Sequence, residues 1–268
     1  MENLALKHRL MLFFINSVIL FALVSPIHAA EPLPIGMENF PPFEFEKEGK
    51  VVGVDTEIVA LVLTRLGYIP DIRVLPWARA QKYAREGTIA AIYSITKNSE
   101  REKFYYFSDP INTVKDVFFK RRDHQISWKT LKDLKDYRIG ISRGYNYAPV
   151  FMKALEEKLF SEIHLLSGDE LERRQLIKLK KGRIDLCICE ISVCKYLIQT
   201  HAPEFDMIDF IDVPIGEIRP YYIAFSKLWP GAQALVTKFN AELKKVMAEG
   251  RIKVILQKYH LKETLEAP

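Results

Sequence analysis

Apolar residues recur along this chain in two alternating registers. Short runs of four to seven, such as Leu33–Met37, Ile72–Leu75, Ile89–Ile95, Arg138–Ile141, Ile163–Leu166 and Ile184–Cys189, have the length and β-branched content of buried strands. Between them lie segments with helical spacing. Ile58, Val59, Val62, Leu63 and Leu66 share one face of a helix that Asp55 is expected to cap and Gly67 to stop. Further helices are predicted over Trp77–Glu86 behind Pro76, Tyr147–Leu159, Glu170–Lys181 behind Asp169, Ser192–Gln199, and from Pro230 to Glu249 and Arg251 to Tyr259. Ser127 is expected to cap a short helix through Leu134, and Val117–Lys120 and Tyr221–Phe225 complete the strands. Strand and helix alternate, restart after Val117, and end in a returning strand and two helices. That order predicts an α/β protein of two lobes with crossover helices.

In such sheets ligands sit beyond the carboxyl ends of the strands. Those ends carry Asn39-Phe40, Trp77 and Ser94–Thr96. The stretch Ser94–Ile111 is the chemical centre of the sequence: a strand gives out into hydroxyls, with Arg101 close behind. A guanidinium offers parallel donors to a carboxylate and does not lose its charge. The bland alternative is a polar loop with Arg101 paired to Glu100 or Glu102. Glu190 ends the buried strand Ile184–Cys189, where a carboxylate either caps the next helix or meets a ligand.

Composition changes the picture at the N-terminus. Lys7, His8 and Arg9 precede an apolar run, Leu10–Val24, and small residues follow up to Ala29-Ala30. This is the layout of a secretory signal peptide, with cleavage expected near Ala29 or Ala30. The net charge is +5, and it is scattered. Its densest run, Lys178–Arg183, suits a solvated helix face, so no nucleic-acid partner is expected. Cys187, Cys189 and Cys194 are an odd set, which forbids a full disulfide framework. Buried thiols are the preferred reading, with one pairing left open; no metal site and no cofactor are expected.

Several blocks together resemble the bacterial family 3 extracellular solute-binding proteins. They are Asn39-Phe40-Pro41-Pro42-Phe43, Gly53-Val54-Asp55, Ser94-Ile95-Thr96 with Glu100-Arg101, Phe107-Ser108-Asp109-Pro110, Gly140 and Gly144, Gly182-Arg183-Ile184-Asp185 and Ala248-Glu249-Gly250. The resemblance implies a two-lobe periplasmic-binding-protein type II fold with two hinge strands. It places a signal peptide at 1–30, lobe 1 at 31–117 and 216–268, and lobe 2 at 118–215, with hinges near Asp116–Phe119 and Val213–Pro220. It implies a periplasmic monomer that carries a polar amino acid or similar small solute to an ABC transporter permease. Arg101, Ser94, Thr96 and Asn146 would hold a carboxylate, Glu190 an ammonium group, and Phe40 and Trp77 would form apolar walls. Two extra residues between Thr96 and Arg101 make Arg79 a second candidate for the anion. Asp185 is assigned a structural role. The alternatives are a cyclohexadienyl or arogenate dehydratase on the same fold, with Glu190 as general acid, and a module that presents its ligand to a membrane sensor.

Overall fold

The computed structural model describes residues 31–259 and Leu261. The expected signal peptide lies outside the described residues. Two large sheets carry the fold. The first contains β1 (Glu31–Met37), β4 (Tyr68–Val74), β5 (Ala91–Ile95), β6 (Tyr105–Phe107), β7 (Asn112–Val114) and β13 (Arg219–Ser226). Its order is β4-β1-β5-β13-β6, with β7 also on β13. β1 and β5 run parallel, Ile35 opposite Ala91, and β13 returns antiparallel to β5, β6 and β7. The second contains β8 (Asp116–Arg121), β9 (Arg138–Ser142), β10 (Glu162–Leu166), β11 (Leu186–Glu190) and β12 (Ile208–Ile211), in the order β10-β9-β11-β8-β12. β10 and β11 lie parallel to β9, while β8 is antiparallel to β11 and β12. β2 (Phe45–Lys47) and β3 (Lys50–Val52) form a separate antiparallel hairpin.

Helices cover both sheets because their apolar faces have nowhere else to go. α1 (Val54–Arg65) buries Ile58, Val59, Val62 and Leu63, the set its spacing announced. The other helices are α2 (Trp77–Arg85), α3 (Ser99–Glu102), α4 (Pro149–Glu156), α5 (Leu171–Lys180), α6 (Ile191–Thr200), α7 (Ala232–Ala248) and α8 (Arg251–Lys258). α4 starts two residues later than predicted because Pro149 takes its first turn, where a missing N–H costs nothing. The chain passes between the sheets at Lys115, between β7 and β8, and again over residues 212–218.

Three local expectations are corrected. Gly53, not Asp55, occupies the N-cap of α1, and Asp55 turns inward to accept from Ser94 Oγ and Asn112 Nδ2. Thr130 and Asp133, not Ser127, form the capping box of the short 3-10 turn Leu131–Leu134. Cys189 and Cys194 form a disulfide with Cα atoms 6.2 Å apart, and Cys187 alone is a buried thiol. The bridge ties the end of β11 to the first turn of α6.

Candidate functional site

The cleft lies at the ends of the strands, where the first sheet faces the second. Its lining includes Glu38, Phe40, Glu44, Trp77, Ser94, Thr96 and Arg101 from one side and Tyr145, Asn146, Tyr147 and Glu190 from the other. Asp116 and Arg219 line it where the two crossings begin and end. The free space within the cleft is about 50 Å³, enough for a few waters.

Contacts across the cleft converge on two backbone carbonyls. Trp77 Nε1, Gln81 Nε2 and Arg101 Nη2 donate to Gly144 O at 3.2, 3.5 and 3.0 Å. Arg219 Nη1 donates to Asn146 O at 2.6 Å, and the Asn146 amide reaches Thr96 Oγ1 at 3.1 Å. Phe40 meets Tyr145 edge-on, ring centroids 6.2 Å apart. The lobes therefore touch directly, and their meeting point is a glycine for a reason. Gly144 has φ +82°, and a Cβ there would stand 3.0 Å from Gln81 Nε2 and 3.5 Å from Trp77 Cδ1. Gly144→Ala is expected to hold the lobes apart, giving a larger radius of gyration by small-angle X-ray scattering. An unchanged radius would show that the cleft tolerates the methyl group.

Seven of the eight residues singled out in the sequence line this one cleft: Phe40, Trp77, Ser94, Thr96, Arg101, Asn146 and Glu190. Arg79 does not. It is exposed on α2, on a face turned away from buried Trp77 and Ala80. Arg101 is buried, donates to Thr96 O and Oγ1, and is held by Asn98, whose side chain caps α3. Burial draws its guanidinium down to about 10, still charged at neutral pH.

Ser94 behaves differently from expectation. It sits at φ +52°, and its hydroxyl is turned away from any anion site towards Glu44 (3.0 Å) and Asp55 (2.8 Å). Glu190 caps the next helix, one of the two roles its position allowed, and also lines the cleft. Its Oε2 accepts from the N–H groups of Ser192 and Val193 and caps α6, while Oε1 is only 3.5 Å from Lys115 N and remains open to the cleft. Burial pushes this carboxyl up to about 8. Asp185 is structural, accepting from Arg138 N, Nε and Nη2.

Acidic groups missed in the sequence line the cleft or stand close behind it. Glu38 and Glu44 bracket the Phe40–Phe43 loop, and Glu172 stands in the first turn of α5. Burial raises all three carboxyls, Glu172 to about 7. After burial, Glu38 is raised most by Glu172, and Glu44 by Glu38 and Asp55. The Tyr145 hydroxyl lies near Glu38 and Glu172, yet it is buried and meets no hydrogen-bond geometry. The signal for these residues was their position: two glutamates flank an aromatic loop at a strand end, where solvation alone does not require them.

Comparison with known proteins agrees with this geometry. The family described as bacterial extracellular solute-binding proteins, family 3, matches residues 33–262. The chain is 24% identical over 229 residues to the arginine-binding extracellular protein ArtP of Bacillus subtilis, covering 82% of each chain. It is 27% identical to a probable amino-acid ABC transporter-binding protein of Haemophilus influenzae, covering 85% of this chain and 84% of that one. Among solved structures, an ancestral arginine-binding protein bound to arginine superposes with a TM-score of 0.74 at 23% identity, covering 87% of this chain and 99% of the other. Two α/β lobes with a cleft between them, matched from Leu33 to Lys262, make this chain a member of the bacterial extracellular solute-binding proteins, family 3.

Proposed function

We propose that the protein captures a basic amino acid in the interlobe cleft and hands it to an ABC transporter permease outside the cytoplasmic membrane. The charge count of the lining carries this reading. Among the described residues, the cleft presents four carboxylates, Glu38, Glu44, Asp116 and Glu190, against two guanidiniums, Arg101 and Arg219. Asp116 is already matched by Arg219. What remains is one cation for a carboxylate and a surplus of anions for more than one positive group. A zwitterion with a charged side chain fits that balance; an acidic amino acid would add charge where it is least tolerated.

Roles follow from position. Arg101 Nη2 and the Asn146 amide take the ligand carboxylate once separation of the lobes frees them from Gly144 and Thr96. Glu190 Oε1 takes the α-ammonium group. Phe40 and Trp77 wall the aliphatic stem. Opening and closing turn about Lys115 and residues 212–218, so that 31–114 and 219–261 move against 116–211. The names of similar proteins, which include arginine-, cystine- and histidine-binding ones, support an amino acid and a non-enzymatic role.

A thermal-shift and calorimetric comparison of L-arginine, L-lysine and L-histidine with neutral and acidic amino acids tests this. A basic amino acid at 100 times its Kd should stabilise the protein by about 2.7 kcal/mol. Arg101→Ala should weaken that binding at least about 10-fold, the size of a charge-assisted contact. Binding confined to acidic or neutral amino acids would overturn the assignment.

A further inference from the structure

Ser94 Oγ lies within hydrogen-bond distance of two carboxylates at once, Glu44 Oε2 at 3.0 Å and Asp55 Oδ2 at 2.8 Å. A hydroxyl carries one proton and can satisfy one of them. The second short oxygen–oxygen contact therefore requires a proton on Glu44 or Asp55. Neither group is relieved by solvent, since Glu44 is 1% and Asp55 0% exposed. No cation reaches them among the described contacts. Asp55 on α1 meets Asn112 Nδ2 from β7; Glu44 faces Glu38 at the end of β1; Tyr93 of β5 is engaged with Thr56, and Tyr221 of β13 approaches Asp55. Arg101 and Arg219 line the same cleft but are spent on Thr96, Gly144, Asn146 and Asp116. Ser94 is held in this place at φ +52°, a backbone conformation that a serine adopts only when its surroundings impose it.

We propose that Glu44, Ser94 and Asp55 form a cation subsite that stores one proton in the ligand-free protein and releases it when a ligand ammonium or guanidinium group arrives. Of the three, Glu44 is the carboxylate that lines the cleft, beside Ser94. A cation beside it favours its ionised form, and Ser94 is then free to donate to Asp55. The proton leaves to solvent, so one positive charge replaces another. The burial-driven rise of both carboxyls, Asp55 to about 7, agrees with a proton held near neutral pH. This rests on the cationic-ligand reading above. It adds that capture is proton-linked and that Glu44, through its store, selects for charge.

Calorimetric titration of the purified protein with L-arginine at pH 6.5, in two buffers of different ionisation enthalpy, counts the protons released. A measurable fraction of a proton should be released per arginine, and affinity should rise with pH across the range in which the site loses its proton. Glu44→Gln should release less than half as much. Infrared spectra of the ligand-free wild type, followed from pH 5 to pH 9, should show a protonated carboxyl band that fades across neutrality and is lost on adding arginine. Arginine binding with no buffer dependence, or no such band, would overturn the proposal. If no basic amino acid binds, the cationic-ligand reading fails and the linkage with it. The infrared band would then still report, separately, whether the proton is there.

Discussion

Arg219→Met is expected to destabilise the protein by about 3–5 kcal/mol, the cost of leaving a buried charge without its partner. Arg219 opens β13 where the chain re-enters the first sheet, and Asp116 opens β8 where it enters the second. Their side chains are 14% and 7% exposed and form an ion pair. Burial raises the Asp116 carboxyl, and the Arg219 guanidinium opposes that rise. Arg219 also donates to Asn146 O, so one side chain joins both crossings to the second lobe's Gly144–Asn146 loop. For a chain of this size the loss corresponds to a Tm lower by about 10 °C. Thermal unfolding of the single variants and of Asp116→Asn/Arg219→Met checks it. The double variant should lie closer to wild type than Arg219→Met does, because removing both charges removes the unpaired one. A loss below about 1 kcal/mol in Arg219→Met would mean that solvent already screens the pair.

Much of this architecture could be read from the chain, and the reason is periodicity. β5 and β11 are continuous apolar runs because both faces are covered, and α1 carries a helical stripe because one face is. Arg101 and Glu190 could be placed at the cleft because they lie at or just beyond strand ends, where clefts open in α/β sheets. Asp55 was not. A carboxylate at the start of a helix satisfies the capping pattern by spacing alone, and only the tertiary contact with Ser94 and Asn112 reveals that Gly53 has taken the cap. Ser94 was misjudged for the related reason that its direction depends on a positive φ, which no one-dimensional pattern encodes for serine. The pairing of Cys189 with Cys194 likewise depends on a turn, here the one made by Glu190 as it caps α6.

Glu38, Glu44 and Glu172 are the larger lesson. They come from three segments, and each has an ordinary surface explanation when read alone. Their meaning lies in proximity: burial and mutual repulsion make them costly to keep ionised together unless a cation joins them. Arg101 and Arg219 do not meet these carboxyls: they donate instead to the Gly144 and Asn146 carbonyls and, for Arg219, to Asp116.

The ligand-free protein should therefore be more stable at pH 5 than at pH 8, by several kcal/mol, a difference that arginine should shrink. Asp55, Glu172 and Glu190 have folded-state values near 7, 7 and 8, well above their ordinary ones. A carboxyl raised in this way binds more protons folded than unfolded between its two values. Its contribution is complete below the unfolded value, about 4, and is lost as pH climbs through the folded value. The window is thus roughly pH 4 to 8. Surface carboxylates held low by hydrogen-bond donors act in the opposite sense, Asp185 through the Arg138 guanidinium and Asp133 through the backbone N–H groups of Thr130 and Lys129, but their influence is confined to acid below about pH 4. The two effects place the stability maximum near pH 5. Chemical denaturation across this range, with and without L-arginine, measures it. Asp55→Asn should flatten the neutral limb by removing one raised carboxyl while keeping an acceptor for Ser94. Stability that rises steadily from pH 5 to pH 8 would mean that these carboxylates are ionised in the folded protein and that the cleft meets its ligand as a fully charged anion cluster.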